Sequence, residues 1–201
     1  MTLNTETPIL TTRFEQALVL ANQLHYTQIR KGSGVPYVSH LLSVAALVLE
    51  DGGDEDEAIA ALLHDAVEDQ GGAATREIIL QLFGERVTSI IDGCTECDIQ
   101  PKPPWRDRKL LYLEKMRHAS PSVFRVSMAD KLHNIRSILA DWEREGDEVW
   151  LKFKGGKEGT LWFYGCLLEI YREGCDGFLL GELARIINRL REYLALVNIS
   201  F

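Results

Sequence analysis

The stretch VSHLLSVAALVLEDGGDEDEAIAALLHDAVEDQGG, residues 38–72, decides the fold. Its first run, VSHLLSVAALVLE (38–50), sets apolar residues at three- and four-residue spacing and stops at Asp51-Gly52-Gly53, as a glycine-ended helix does. Acidic residues Asp54 to Glu57 suit the positive N-terminal end of a further helix, which the apolar segment AIAALL carries on to about Asp69 before Gly71-Gly72 stops it. Upstream, FEQALVLANQLHY (14–26) has the same period, and far downstream so does ELARIINRLREYLALV (182–197). Gly32, Gly34 and Pro36 separate the first helix from the second. Strict apolar/polar alternation over five or more residues is hard to find, so any strand is incidental.

The remaining punctuation continues the helical pattern. A short helix is expected from about Thr75 and another from Glu85, followed by a surface loop at DIQPKPPW (98–105). Helices follow over roughly 106–118 and 122–145, the second starting beside Pro121. Two or three more come after Asp147, with KFKGGKEG (152–159) as a bend. The expectation is an all-α, single-domain chain over residues 1–201 with about eight to ten helices. Its motif-bearing core covers about 20–145 and its C-terminal helices about 147–201.

Composition narrows the function. A chain of 201 residues fits one compact domain. With 22 Lys+Arg against 30 Asp+Glu, the net charge of −8 disfavours nucleic acid and anionic membrane surfaces as partners. An anionic ligand must then be held by a local basic pocket or a metal. No apolar stretch approaches the ~20 residues of a membrane span. The N-terminal MTLNTETPIL has no basic region ahead of an apolar core, so no signal peptide is expected there. Cys94 and Cys97 form one CxxC, with Cys166 and Cys175 far away, which fits reduced thiols in a cytoplasmic protein better than a zinc site. Oligomeric state is left open.

The chemistry gathers at LLHDAVED. At about 100° per residue, with His64 at zero, Glu68 falls near 40°, Asp65 near 100° and Asp69 near 140°, so four ionisable groups share one arc of a helix. The apolar AIAALL before them starts that arc in or beside the core, where an unpartnered ionisable group is costly. A solvated helix end with a salt bridge or two is the plain reading; a divalent metal is the natural partner otherwise. Two other segments favour the metal. His40 opens a strongly apolar helix, and Asp130 interrupts the apolar face of VSMADKLHNI. Together His40, His64, Asp65 and Asp130 would give two nitrogens and two carboxylates, a set suited to Mn²⁺, Fe²⁺ or Zn²⁺ rather than Ca²⁺.

The ordered strings HYTQIRKGSGVPYVSHLL (25–42), ALLHDAVEDQ (61–70) and ADKLHNIRSI (129–138) resemble the HD-domain metal-dependent phosphohydrolases. More narrowly, they are similar to the hydrolase domain of RelA/SpoT enzymes and the small alarmone hydrolases. FGERVTSIIDGCT (83–95) resembles the family's connecting stretch; beyond about residue 140 only the helical character carries over. The resemblance implies an all-α fold, a Mn²⁺ ion held by His40, His64, Asp65 and Asp130, and removal of the 3′-pyrophosphate from guanosine alarmones such as ppGpp. It puts Glu68 and Asp69 on the family's catalytic acidic pair, Arg30 and Lys31 on its basic pair near the base, and Asn134 on a substrate-contacting Asn. One departure stands out: Gly-Ser-Gly-Val lies between Lys31 and Pro36, where the long enzymes usually have Ser-Gly-Glu.

Without the family, the same residues suit phosphate hydrolysis. A divalent cation can activate water and neutralise phosphoryl charge. Glu68 and Asp69 follow the ligands closely enough to orient or deprotonate that water, and crowding of the two carboxylates can raise one pKa and make it a general acid. Lys131, Arg136, Arg106 and Lys109 are candidate phosphate contacts or solvated cations; His133 is either an outer partner of the metal site or a core histidine. His25 and His118, with Trp150, Trp162 and Tyr164, read as structural. The length leaves no room for a synthetase domain, so hydrolysis alone is expected of a small-molecule nucleotide substrate. The competing expectations keep the HD chemistry on another nucleotide (an adenosine alarmone, the NADPH phosphate or a deoxynucleotide), or make the chain a nucleotide-binding signalling domain.

Overall fold

The computed structural model describes residues 10–97 and 101–197. The start of the chain, where a signal peptide is not expected, and the first three residues of the Pro-rich loop lie outside them. Among the described residues nine α-helices follow in order: α1 Thr12–His25, α2 Val38–Glu50, α3 Glu55–Leu63, α4 Ala66–Asp69, α5 Ala73–Cys94, α6 Trp105–Arg117, α7 Pro121–Glu145, α8 Gly156–Gly174 and α9 Phe178–Val197. A 3₁₀ turn, Gly146–Lys152, joins α7 to α8. Among the described residues the one strand-like feature is a single bridge between Ile29 and Pro36. The all-α expectation holds.

Helix α3 is the centre. Ala58 to Leu63 are all buried, because this helix packs against α1, α2, α5 and α7 and has no face left for water. The long α7 lies against α2, α3, α5 and α9, and its Pro121 start is capped by Ser120, whose hydroxyl accepts the Val123 N–H. The two helices read from Thr75 and Glu85 are the halves of α5, which bends at Gly84, where a φ of 85° suits glycine and few other residues.

One reading is corrected. The helix through AIAALLHDAVED does not run on to Asp69: helical hydrogen bonding lapses at His64–Asp65, and α4 begins afresh. Both residues keep right-handed angles (φ −60°, ψ −30° and φ −96°, ψ −5°), so the chain tightens without unravelling. The even arc of four groups becomes a bend with His64 and Asp65 at its corner.

The start of α3 is fixed by a reciprocal cap. The Asp54 carboxylate accepts the Glu57 N–H, and the Glu57 side chain accepts the Asp54 N–H. Arg86 also binds Asp54, at 2.6 and 3.0 Å. Burial pushes the Asp54 carboxyl up, but the bonds from Arg86 and the Glu57 amide outweigh it and leave it below its ordinary value. Such a group stabilises the fold above its unfolded pKa and loses that contribution as pH falls through the folded one. Asp54→Ala is expected to cost about 1 kcal/mol in urea unfolding at pH 7. The gap to wild type should narrow below the carboxylate range; an equal gap at pH 2 would contradict this account.

Candidate active site

His40, in the first turn of α2, is fully buried because α2 presses its apolar face onto α3 and α7. His64 is buried at the end of α3, Asp65 follows in the bend, and Asp130 projects from the middle of α7. Three segments that are remote in sequence therefore meet. The ligating atoms of His40, His64 and Asp65 lie within 4.8 Å of one another. Asp65 Oδ2 is 3.0 Å from His64 Nε2 and 3.6 Å from His40 Nε2; Asp130 Oδ1 is 3.2 Å from His40 Nε2 and 3.6 Å from His64 Nε2.

The outward nitrogens show which atoms are free. His64 Nδ1 donates to the Ala61 carbonyl at 2.8 Å, and His40 Nδ1 meets His133 Nδ1 at 2.7 Å. Both Nε2 atoms are buried and have no hydrogen-bond partner. Two unpartnered buried nitrogens facing two carboxylates fit a divalent cation, since an orphaned polar atom is costly and a metal would satisfy all four at once. The electrostatics agree. Burial raises the Asp65 carboxyl, but His64 and then His40 hold it well below its usual range; for Asp130, burial is overridden by Lys131, His40 and His64. Burial disfavours charge on His64, yet Asp65 and then Asp130 hold its imidazole above the usual value. The centre favours positive charge.

Supporting contacts surround this cluster, and that of Tyr37 was not read from the sequence. The Tyr37 hydroxyl donates to Asp65 Oδ2 at 2.6 Å, while its ring stacks on His25 with centroids 5.3 Å apart. Burial and then Asp65 raise the Tyr37 phenol, which keeps it a donor. Three-residue spacing from His40 was the available signal. His133, pushed down to about 4 by burial, His40 and Arg30, stands beside His40 as its outer partner. On the far side of Asp130, Asn134 Nδ2 donates to Oδ1 and Lys131 to Oδ2, each at 2.5 Å.

The acidic pair divides. Glu68 Oε1 accepts from Lys102 at 2.8 Å and its Oε2 accepts the Glu96 N–H at 3.2 Å, so this carboxylate is fully engaged. Asp69 accepts from Gln28 Nε2 at 2.8 Å and lines the cleft beside the cluster. Burial and then the Asp65 charge push the Asp69 carboxyl up, against the pull of Gln28.

That cleft, about 850 Å³, runs from Asp69 along α7. Arg30, Lys31, Asn134, Lys131 and Lys109 line it; Arg30 Nη2 donates to Asn134 Oδ1 at 2.8 Å. Lys109 binds Glu96, and burial lowers its pKa. Arg106 is elsewhere: its guanidinium sits 3.3 Å over the Trp162 ring and does not line the cleft. Arg136 pairs with Glu182 at 2.9 Å, also outside the lining. Tyr164, read as structural, is buried yet reaches the cleft wall, whereas Trp150 stays in the core.

Comparison with known proteins fits this architecture. The HD-domain family model matches residues 17–161. The guanosine-3′,5′-bis(diphosphate) 3′-pyrophosphohydrolase MESH1 of Xenopus tropicalis is 38% identical over 126 residues, 61% of this chain and 68% of that protein. The bifunctional (p)ppGpp synthase/hydrolase SpoT of Escherichia coli K12 is 34% identical over 132 residues, 63% of this chain. This chain spans only 18% of SpoT, and 16% of a probable GTP pyrophosphokinase of Mycobacterium leprae. A solved metazoan SpoT ortholog, described as hydrolysing ppGpp, shares the fold with a TM-score of 0.75 at 24% identity, covering 90% of this chain and 97% of that one. The extent of the family match, joined to the MESH1 likeness, places this chain in the HD-domain family, with the group that includes MESH1 and the HD segment of SpoT.

Proposed function

We propose that this chain is a metal-dependent hydrolase that removes the 3′-pyrophosphate of guanosine alarmones, converting (p)ppGpp and water to GDP or GTP and pyrophosphate. The observation that carries the reading is the pair of buried, unpartnered Nε2 atoms facing Asp65 and Asp130 at the head of a cation-lined cleft. The likeness to a relative named for this reaction favours it over an adenosine alarmone, the NADPH phosphate or a deoxynucleotide. In this reading the described helices act as one catalytic unit in the cytoplasm, and the free cysteines are plain thiols.

His40, His64, Asp65 and Asp130 would hold the ion, Mn²⁺ in our assignment. When bound, it supplies Lewis-acid stabilisation of phosphoryl oxygens and a more acidic water. Tyr37 fixes the Asp65 carboxylate, and the His40–His133 contact orients the His40 ring. Glu68 keeps its charge engaged with Lys102 and the Glu96 amide, positioning that cation at the cleft edge. Asp69, which lines the cleft and whose carboxyl burial and the Asp65 charge push up, is assigned as the general acid that passes a proton to the departing 3′-oxygen as its bond to phosphorus breaks and the attacking water oxygen takes its place. Arg30, tied to Asn134, flanks the base.

Chromatographic assay of the full chain against (p)ppGpp, its adenosine counterpart and NADPH, with and without Mn²⁺, tests this. Mn²⁺-dependent pyrophosphate release from the guanosine compounds is expected. Silence on every 3′-pyrophosphorylated nucleotide would overturn the reading.

A further inference from the structure

The cations along the cleft fall into two groups. Beside the His/Asp cluster all but Arg30, which donates to Asn134, face a carboxylate: Lys102 pairs with Glu68, Arg108 and Lys109 with Glu96, and Lys131 with Asp130. The opposite end is built differently. Lys31 and Lys154 line the cleft with no carboxylate partner among the described residues, while Lys152 and Arg144 pair only with Glu145 and Asp141. Helix α7 measures the separation. Lys131 and Arg144 both line the cleft, and the helix between them rises about 20 Å.

Gly32 shows how the second end is assembled. The loop from Arg30 is closed by the Arg30 N–H donating to the Val35 carbonyl at 2.8 Å, and Gly32 turns within it at a φ of 84°. A Cβ on Gly32 would sit 2.9 Å from Lys152 Cδ and 3.1 Å from its Nζ. The Lys152 stem therefore lies across this loop and carries its ammonium to the neighbourhood of Lys31. The loop holding the extra residue is thus joined to the turn after α7, in the part of the chain that carries none of the three motifs.

Gathering like charges in a concave site is unfavourable unless an anion joins them, and in a chain of net charge −8 it is no by-product of composition. At the cluster end a divalent cation and paired lysines serve the reacting group. The surplus charge at the far end has no such assignment. We propose that Lys31, Lys152 and Lys154 form an anion subsite for the 5′-phosphate groups of a nucleotide whose 3′ side faces His40, His64, Asp65 and Asp130. This rests on the reading of the substrate given above and adds to it: the protein distinguishes a 3′,5′-bisphosphorylated nucleotide from a nucleoside phosphorylated at the 3′ position alone. Lys154 and Lys31 supply mobile point charges suited to a flexible diphosphate, and Lys152 is held in place by Gly32 and Glu145.

Calorimetric titration of the full chain, without added metal, with GDP and with guanosine isolates the subsite from the ion. GDP is expected to bind at least about tenfold tighter. The double variant K152A/K154A should lose most of that preference, and K152R/K154R should keep it. In Mn²⁺-loaded protein, the ratio of kcat/KM for guanosine 3′,5′-bis(diphosphate) over guanosine 3′-diphosphate should fall about tenfold in the alanine double variant. Equal binding of GDP and guanosine by the wild type, or an undiminished preference in the alanine variant, would overturn the subsite. A wild type that prefers GDP through these lysines but hydrolyses neither compound would remove the hydrolase reading and leave the subsite standing.

Discussion

His64→Ala is expected to abolish cation binding and turnover together, with turnover falling by at least about 1000-fold, because Lewis-acid stabilisation is worth several kcal/mol and each 1.36 kcal/mol is a factor of ten. This substitution is cleaner than one at Asp130. The outward nitrogen of His64 bonds only the local Ala61 carbonyl, whereas Asp130 also neutralises Lys131 and accepts from Asn134. Asp130→Ala would strand a buried ammonium and confuse folding with chemistry. Tyr37→Phe supplies a graded companion: it keeps the ring stacked on His25 and removes only the 2.6 Å bond to Asp65. Loss of an outer partner of this kind weakens metal affinity by about 10- to 100-fold. Mn²⁺ titration followed by calorimetry reads both variants independently of activity. If His64→Ala bound Mn²⁺ like the wild type, the cluster would not be the ion site. If it lost Mn²⁺ but retained turnover, the ion would not be part of the chemistry.

Much of this geometry was written in local pattern, and the remainder was not for identifiable reasons. Helix ends were legible wherever a side chain or glycine marks them, as at Ser120-Pro121 and Asp51-Gly52-Gly53. The break at His64–Asp65 carries no such mark: the apolar run enters it unbroken and both residues keep right-handed angles, so only the tertiary setting bends the chain there. His40, His64, Asp65 and Asp130 could be chosen because each interrupts an apolar setting where an ionisable group is costly. Lys102 could not be linked to Glu68, nor Lys152 to the Gly32 turn, because these groups lie in polar stretches with no periodic signal and meet only through the fold. Arg106 illustrates the reverse. Its position on α6 allowed a phosphate contact or a solvated cation, but its guanidinium lies over the Trp162 ring and outside the cleft lining.

The second large effect concerns how the last quarter of the chain is fastened to the motif-bearing helices. Arg125, on α7, donates through Nη1 to both Glu57 oxygens at 2.8 and 2.7 Å and through Nε to Asp51 at 3.0 Å. Asp51 in turn accepts the Leu179 N–H at 3.2 Å, near the start of α9. One guanidinium therefore ties the end of α2, the first turn of α3 and the beginning of α9. Glu57 is only 3% exposed, which decides the magnitude. Arg125→Ala leaves a buried carboxylate without its cation, a change expected to cost about 3–5 kcal/mol, several times a surface ion pair. The cost comes from the stranded charge, so Arg125→Ala/Glu57→Gln should recover a large part of it by removing that charge, while the new side-chain amide oxygen can still accept the Asp54 N–H that caps α3. Urea unfolding of the wild type, both single variants and the double variant forms the cycle that isolates the pair. Additive losses would mean that Arg125 and Glu57 act independently. A single Arg125→Ala loss below about 1 kcal/mol would place the pair with ordinary surface bridges.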